Sequence, residues 1–245
     1  MHRKDFIRRS AILASTLGSA GLLQASASST NKRSGALELV VNAGISGNNT
    51  NNLLKRIDTD CLAHKPSLTI MMIGTNDMNN GKFVPPDKFR TNLRELSGKI
   101  MDSGSKLLLM TILPFYEPYL LTRHPADFFQ PEGPSGKRVA MNTIIKEVAA
   151  EKSASFFDVG SLFEKVGKIG TDKDSLLRNE ENSKKNDGVH PTPNGYRFLG
   201  LAVSQFIQFN QLPVERIVCF GDSITRGDGS VDGESYPAYL KKLLS

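Results

Sequence analysis

The chain has 245 residues, 39% of them hydrophobic and 23% charged, which suits a core of ordinary α/β size. Its formal net charge is +6, but half of that excess lies in residues 1–27, where Arg3, Lys4, Arg8 and Arg9 stand against Asp5 alone. The remainder is only mildly basic, and no basic run is interleaved with aromatics, so the composition argues against a nucleic-acid partner.

Residues 1–27 read as a secretion signal: a basic start, a mildly apolar stretch over 11–23, and the small residues Ala25-Ser26-Ala27 as a cleavage site. The apolar stretch falls short of the roughly 20 residues a bilayer span needs, so no stable membrane insertion is expected after signal removal. Arg8-Arg9 followed by Ser10-Ala11 resembles a twin-arginine signal. Ala11 stands where an aromatic is usual, which leaves the ordinary secretion route open. The expected product is exported, periplasmic or secreted. Residues 28–35 read as a disordered leader, and 36–245 as a single domain.

Apolar runs at 37–42, 68–73, 106–113, 155–159 and 216–220 have strand character, and their continuous apolarity suits parallel strands covered on both faces. Helical patterns alternate with them. Phe89, Leu93, Leu96 and Ile100 mark a helix over 86–102, and Tyr196, Leu199, Val203, Phe206 and Ile207 one over 194–209. Further helices are expected at 50–63, 137–153 and 236–244. This alternation predicts an α/β fold: a three-layer α/β/α sandwich around a five-stranded parallel sheet. The stretches 115–136, rich in proline, and 167–185, charged and polar, read as long loops after strand ends, where such sheets place their sites. Of the two cysteines, Cys61 falls in a predicted helix and Cys219 in a predicted central strand. Two buried free thiols are expected, with a disulfide as the alternative in an exported protein.

Four short motifs can carry chemistry. Gly221-Asp222-Ser223-Ile224 is a tight turn at the end of an apolar strand, where the Ser223 hydroxyl is placed for acyl transfer. In Asp187-Gly188-Val189-His190, the Asp187 carboxylate can take the imidazole N–H of His190 and fix its tautomer, leaving His190 to act as a base. His64 and His124 compete for that role, His64 as a solvated helix end and His124 as a pocket wall. Gly74-Thr75-Asn76-Asp77 closes a strand, and the Asn76 amide can donate to an oxyanion. Asn42-Ala43-Gly44-Ile45-Ser46-Gly47 opens a helix, and its glycines let backbone N–H groups approach a negative centre. Each motif is also ordinary turn or cap chemistry. Their joint placement at strand ends is what turns would not be expected to supply.

On these four blocks the chain resembles the SGNH (GDSL) hydrolases across essentially all of the chain that follows residues 1–27. The resemblance implies Ser223 as nucleophile, His190 as base and Asp187 as its orienter. It implies an oxyanion hole of the Ser223 and Gly47 N–H groups, with Gly44 as runner-up, and the Asn76 side chain. It also implies a flavodoxin-like fold, no cofactor and no metal. The family usually runs nucleophile, glycine, asparagine, then acid–base. Here the nucleophile block comes last, a cyclic rotation of that order. A circular permutant is therefore expected, with the last strand packed in the middle of the sheet beside the strand from Leu37. A truncated second copy or exchange of the last strand between molecules are the rival explanations. The implied activity is hydrolysis of small acyl esters, acetyl above all, on a small-molecule or polysaccharide substrate. A lysophospholipase or thioesterase is the alternative, and an inactive carbohydrate-binding relative the non-enzymatic one.

Overall fold

The computed structural model describes residues 39–230 and 234–245. The signal, the leader and the start of the first predicted strand lie outside the described residues. Five parallel strands form one sheet: β1 Val40–Gly44, β2 Leu68–Met72, β3 Lys106–Met110, β4 Ser155–Phe157 and β5 Ile217–Gly221. Their spatial order is β1-β5-β2-β3-β4, so the last strand in sequence lies between the first two. Val40 faces Ile217 on one side of β5, and Leu68 faces Ile217 on the other. Counted from β5 and then along the chain, the order across the sheet is 2-1-3-4-5, that of flavodoxin-like folds.

The period of two along each strand sorts the core into two layers. Val218 and Phe220 of β5 join Met71, Leu107 and Leu109 beneath three helices: α1 Thr50–Asp60, α2 Pro86–Asp102 and α4 Gly133–Lys152. Ile217 and Cys219 join Leu68, Ile70, Met72, Leu108 and Met110 on the opposite face. That face is covered by α5 Val159–Val166, α7 Pro193–Phe209 and α9 Tyr236–Leu244. Every residue of β2 and β5 is buried, whereas the edge strand β4 is only half-buried throughout. Continuous apolar runs are what a strand buried on both faces requires.

Among the described residues there are also three short α-helices: α3 Glu117–Leu120, α6 Glu180–Ser183 and α8 Ser223–Arg226. Both segments expected to be irregular therefore contain local helix. In the first, a 3-10 turn also spans Ala126–Phe129, and α4 begins at Gly133, ahead of the expected 137, because Pro134 fits a first helical turn. The strand expected over 155–159 stops at Phe157. Asp158 ends it by accepting from the Ser161 N–H as N-cap of α5. Cys61 and Cys219 are both free and buried, as expected. Among the described residues, no helix is long and apolar enough to cross a membrane.

Candidate active site

The C-terminal ends of β1, β5 and β2 meet at the point where the strand order reverses, and the four motifs converge there. Ser223 is the first residue of α8. Asp222 caps that helix by accepting from the Ile224 N–H at 2.9 Å. The strand thus stops and the helix starts within two residues, which holds the Ser223 side chain at the floor of a cleft with 8% of its surface exposed.

His190 reaches it from the loop before α7. Its Nε2 lies 3.0 Å from Ser223 Oγ, and its Nδ1 lies 3.0 and 3.1 Å from the two Asp187 carboxylate oxygens. A carboxylate only accepts, so Nδ1 carries the proton and Nε2 is left to accept from the serine hydroxyl. The loop is fixed on several sides. Asp187 Oδ1 accepts from the Val189 and His190 N–H groups at 3.1 and 2.9 Å, and Arg178 Nη1 lies 3.3 Å from Oδ2. Arg123 Nη2 donates to the Asp187 carbonyl at 2.6 Å, and the Tyr116 N–H to the Gly188 carbonyl at 2.8 Å. Burial works to raise the Asp187 carboxyl, but the hydrogen bond and charge of His190 and the two N–H groups outweigh it and hold the group at about 2. The pair is thus set to stabilise an imidazolium.

The oxyanion candidates separate clearly. Gly44 donates its N–H to Asn42 Oδ1 at 3.0 Å, and a Cβ there would lie 2.2 Å from the Arg226 nitrogen. It serves close packing against α8 and has no donor left for a ligand. Gly47 lines the cleft at φ +74°, and among the described residues its N–H finds no protein acceptor. The Ser223 N–H finds none either. Asn76 also lines the cleft. Its amide donates one hydrogen to the Asn48 carbonyl at 2.9 Å and keeps the second. The three expected donors thus border one cavity of about 300 Å³ with Ser223 and His190. Leu120, Arg123, His124 and Val189 form its other side. His124 is therefore a wall, held against Phe129, and His64 is exposed on a 3-10 turn far along the chain from the site.

Sequence reasoning missed Arg123, Arg178 and two buried carboxylates beside the site. Asp77 and Asp222 are both almost fully buried. Burial pushes Asp222 up to about 7, against the Ile224 N–H and nearby His190, and Asp77 up to about 6, against its bonds from Thr50. Nothing in the local sequence marks Arg123 or Arg178, since each acts across a fold contact. The carboxylates were visible as motif members, but not as buried. Among the described residues, no three His, Cys, Asp or Glu side chains gather in a way that could hold a metal ion.

The chain has counterparts among known proteins. Residues 16–198 match the model of the GDSL-like Lipase/Acylhydrolase family, and the chain belongs to that family. It is a carboxylic ester hydrolase, with acetylxylan esterase and arylesterase relatives. It is 31% identical over 183 residues to the uncharacterized lipoprotein YqeF of Bacillus subtilis, covering 69% of this chain and 74% of that one. It is 30% identical over 178 residues to the acetylxylan esterase of Geobacillus stearothermophilus, covering 69% and 72%. The crystal structure of the acetyl xylan esterase AlAXEase shares the fold at a TM-score of 0.54 and 23% identity, covering 67% of this chain and 79% of that one.

Proposed function

We propose that this chain is an exported serine esterase that removes small acyl groups, acetyl first among them, from carbohydrate. The observation that carries the reading is the unbroken line from Asp187 through His190 to Ser223 Oγ, beside three groups that each keep a free donor hydrogen. His190 takes the hydroxyl proton as Ser223 attacks the ester carbonyl. The N–H groups of Ser223 and Gly47 and the Asn76 amide receive the developing oxyanion, and His190 returns the proton to the leaving alcohol. Water then enters by the same route and releases the acid. The reading needs no cofactor. An acetyl preference fits a cavity of about 300 Å³ walled by Leu120 and Val189. Carbohydrate as the acyl acceptor is supported by the acetylxylan esterase relative, and export by the signal-like start of the sequence and a relative described as a lipoprotein.

The order of the blocks we read as a circular rotation of the family's within one domain, residues 36–245. Two observations support this. Counting from β5 gives the flavodoxin-like order, and the family match stops at residue 198, short of Ser223.

A panel of p-nitrophenyl esters from acetate to octanoate, with acetylated xylo-oligosaccharides alongside, tests the reading on the wild type and Ser223→Ala. The expected result is an acetate optimum, acetate release from the oligosaccharide, and loss of both in the variant. An octanoate optimum would move the assignment to a lipid esterase. Equal rates from both proteins would remove Ser223 from the chemistry.

A further inference from the structure

Building on the triad reading, we infer that Arg56 is a positioning residue that sets the oxyanion loop against the nucleophile turn. It stands on α1, its side chain 12% exposed, and it is not among the residues that line the cavity. Its guanidinium nevertheless binds two of the three segments that frame the oxyanion hole, the nucleophile turn and the glycine loop. Nη2 donates to the Gly221 carbonyl at 2.8 Å, two residues before Ser223. Nη1 donates to the Ala43 carbonyl at 2.9 Å, at the end of β1, and to Asp60 Oδ2 at 3.1 Å. Nε donates to Asn48 Oδ1 at 2.7 Å, next to Gly47. The guanidinium carbon lies 4.5 Å from the centroid of the Phe220 ring, so β5 also supplies a flat support.

The third donor is reached through Asn48. The Asn48 carbonyl holds the Asn76 amide at 2.9 Å, so the residue that Arg56 grips by its side chain grips Asn76 by its backbone. One planar group therefore fixes the strand leading to Ser223, the loop presenting Gly47 and, at one remove, Asn76. Arg56 and Gly221 are 165 residues apart in sequence, with no covalent path short enough to hold these parts in register. A lysine cannot replace the arginine here. Its ammonium is a point donor on a flexible stem, whereas four acceptors at fixed angles require a rigid fork. The charge is met by Asp60, whose pairing opposes the burial that pushes the guanidinium below its ordinary value.

The test is a double-mutant cycle on the full chain with p-nitrophenyl acetate, using Arg56→Lys, Asn76→Ala and the pair. Arg56→Lys is expected to lower kcat on the order of 10–100-fold with KM within about twofold, because a shift of about 1 Å in a positioned group costs that much. The two losses are expected to be strongly sub-additive, since Arg56 acts through the hole that Asn76→Ala dismantles. Labelling of Ser223 by a p-nitrophenyl phosphonate, whose adduct places an oxygen in the same hole, is expected to slow in parallel. If Arg56→Lys does not fold, Asn48→Ala takes its place in the cycle, with the same sub-additivity expected. Additive losses, or an unchanged kcat in a folded variant, overturn the role of Arg56. Activity retained by Ser223→Ala overturns the triad reading instead, so the two failures are distinguishable.

Discussion

Residues 39–209 and residues 217–244 enter the same sheet on very different terms. The longer segment supplies β1 to β4 with their helices, and with them the Gly47 loop, Asn76 and the Asp187–His190 turn. It cannot close the sheet by itself, because β1 and β2 are each paired with β5 and not with each other. The shorter segment supplies one strand with every residue buried, and it carries Ser223 immediately behind that strand. The candidate site lies on the seam between them. The lesson is that Ser223 and the other residues of the candidate site are held together by sheet register and by a few long-range hydrogen bonds, not by proximity in sequence.

The bluntest way to break the comparison is to delete the shorter segment from Val214 onward. Ile217, Val218, Cys219 and Phe220 are each 0% exposed, and removing them strips both neighbouring strands of their partner. Burying side chains of this size contributes roughly 1.5–3 kcal/mol each, so four together rival the whole stability of a domain. No cooperative thermal transition by circular dichroism is expected. A sharp transition near that of the full chain would mean that the longer segment folds alone.

Ser223→Ala separates chemistry from architecture at the same seam. Its fold should melt within a few degrees of the wild type while hydrolysis of p-nitrophenyl acetate falls by at least about 10⁴-fold. The 3.0 Å contact of His190 with Ser223 is made within one chain, so on the proposed mechanism each molecule works alone. Co-refolding Ser223→Ala with His190→Ala should therefore recover no activity. Recovered activity would mean that β5 exchanges between molecules.

On the other side of the seam, Asn76→Ala removes one of the three proposed oxyanion donors. The expected cost is roughly 10²–10³ in kcat with little change in KM. A loss confined to KM would make Asn76 a ground-state contact.

What the sequence disclosed follows the same division. Strands buried on both faces were legible because burial forces continuous apolar runs, and β2 and β5 were placed nearly to their ends. The helix α5 was missed although its signals were present. Asp158 caps it, Leu162 and Val166 lie four apart, and Gly167 ends it at φ +70°. The strand-like run Ser155–Phe157 directly before it masked the start. The helix α8 was read as a turn because four residues carry no periodicity. In the candidate site, the side chains that the fold brings together were legible where turn grammar and residue type coincide, as at Asp187, His190 and Ser223. Arg56, Arg123 and Arg178 were not, because an arginine on a helix or loop looks like any solvated charge until the fold brings it to a distant carbonyl.

The smallest effect distinguishes the two regions by their protons. Asp222, beside Ser223, is raised to about 7 by burial, whereas Asp187, in the turn with His190, is held at about 2 by His190 after burial is overcome. In the unfolded chain both titrate near 3.9. Between about 4 and 7 the folded state thus keeps a proton on Asp222 that the unfolded state has released, so stability falls as pH rises through that window. Asp77, raised to about 6 by burial, adds to the fall over its lower part. Asp187 works in the opposite sense: its contribution is complete above about 4 and is lost as pH falls through about 2. Asp222→Asn keeps an oxygen to accept from the Ile224 N–H but cannot ionise. Its melting temperature should match the wild type near pH 4 and exceed it by roughly 10 °C at pH 8, since a single proton changes stability by at most about 1.4 kcal/mol per pH unit across a window of about three units. Parallel curves for the two proteins would show that Asp222 ionises in the folded state as easily as in the unfolded one, and that the seam behind Ser223 is wetter than its burial implies.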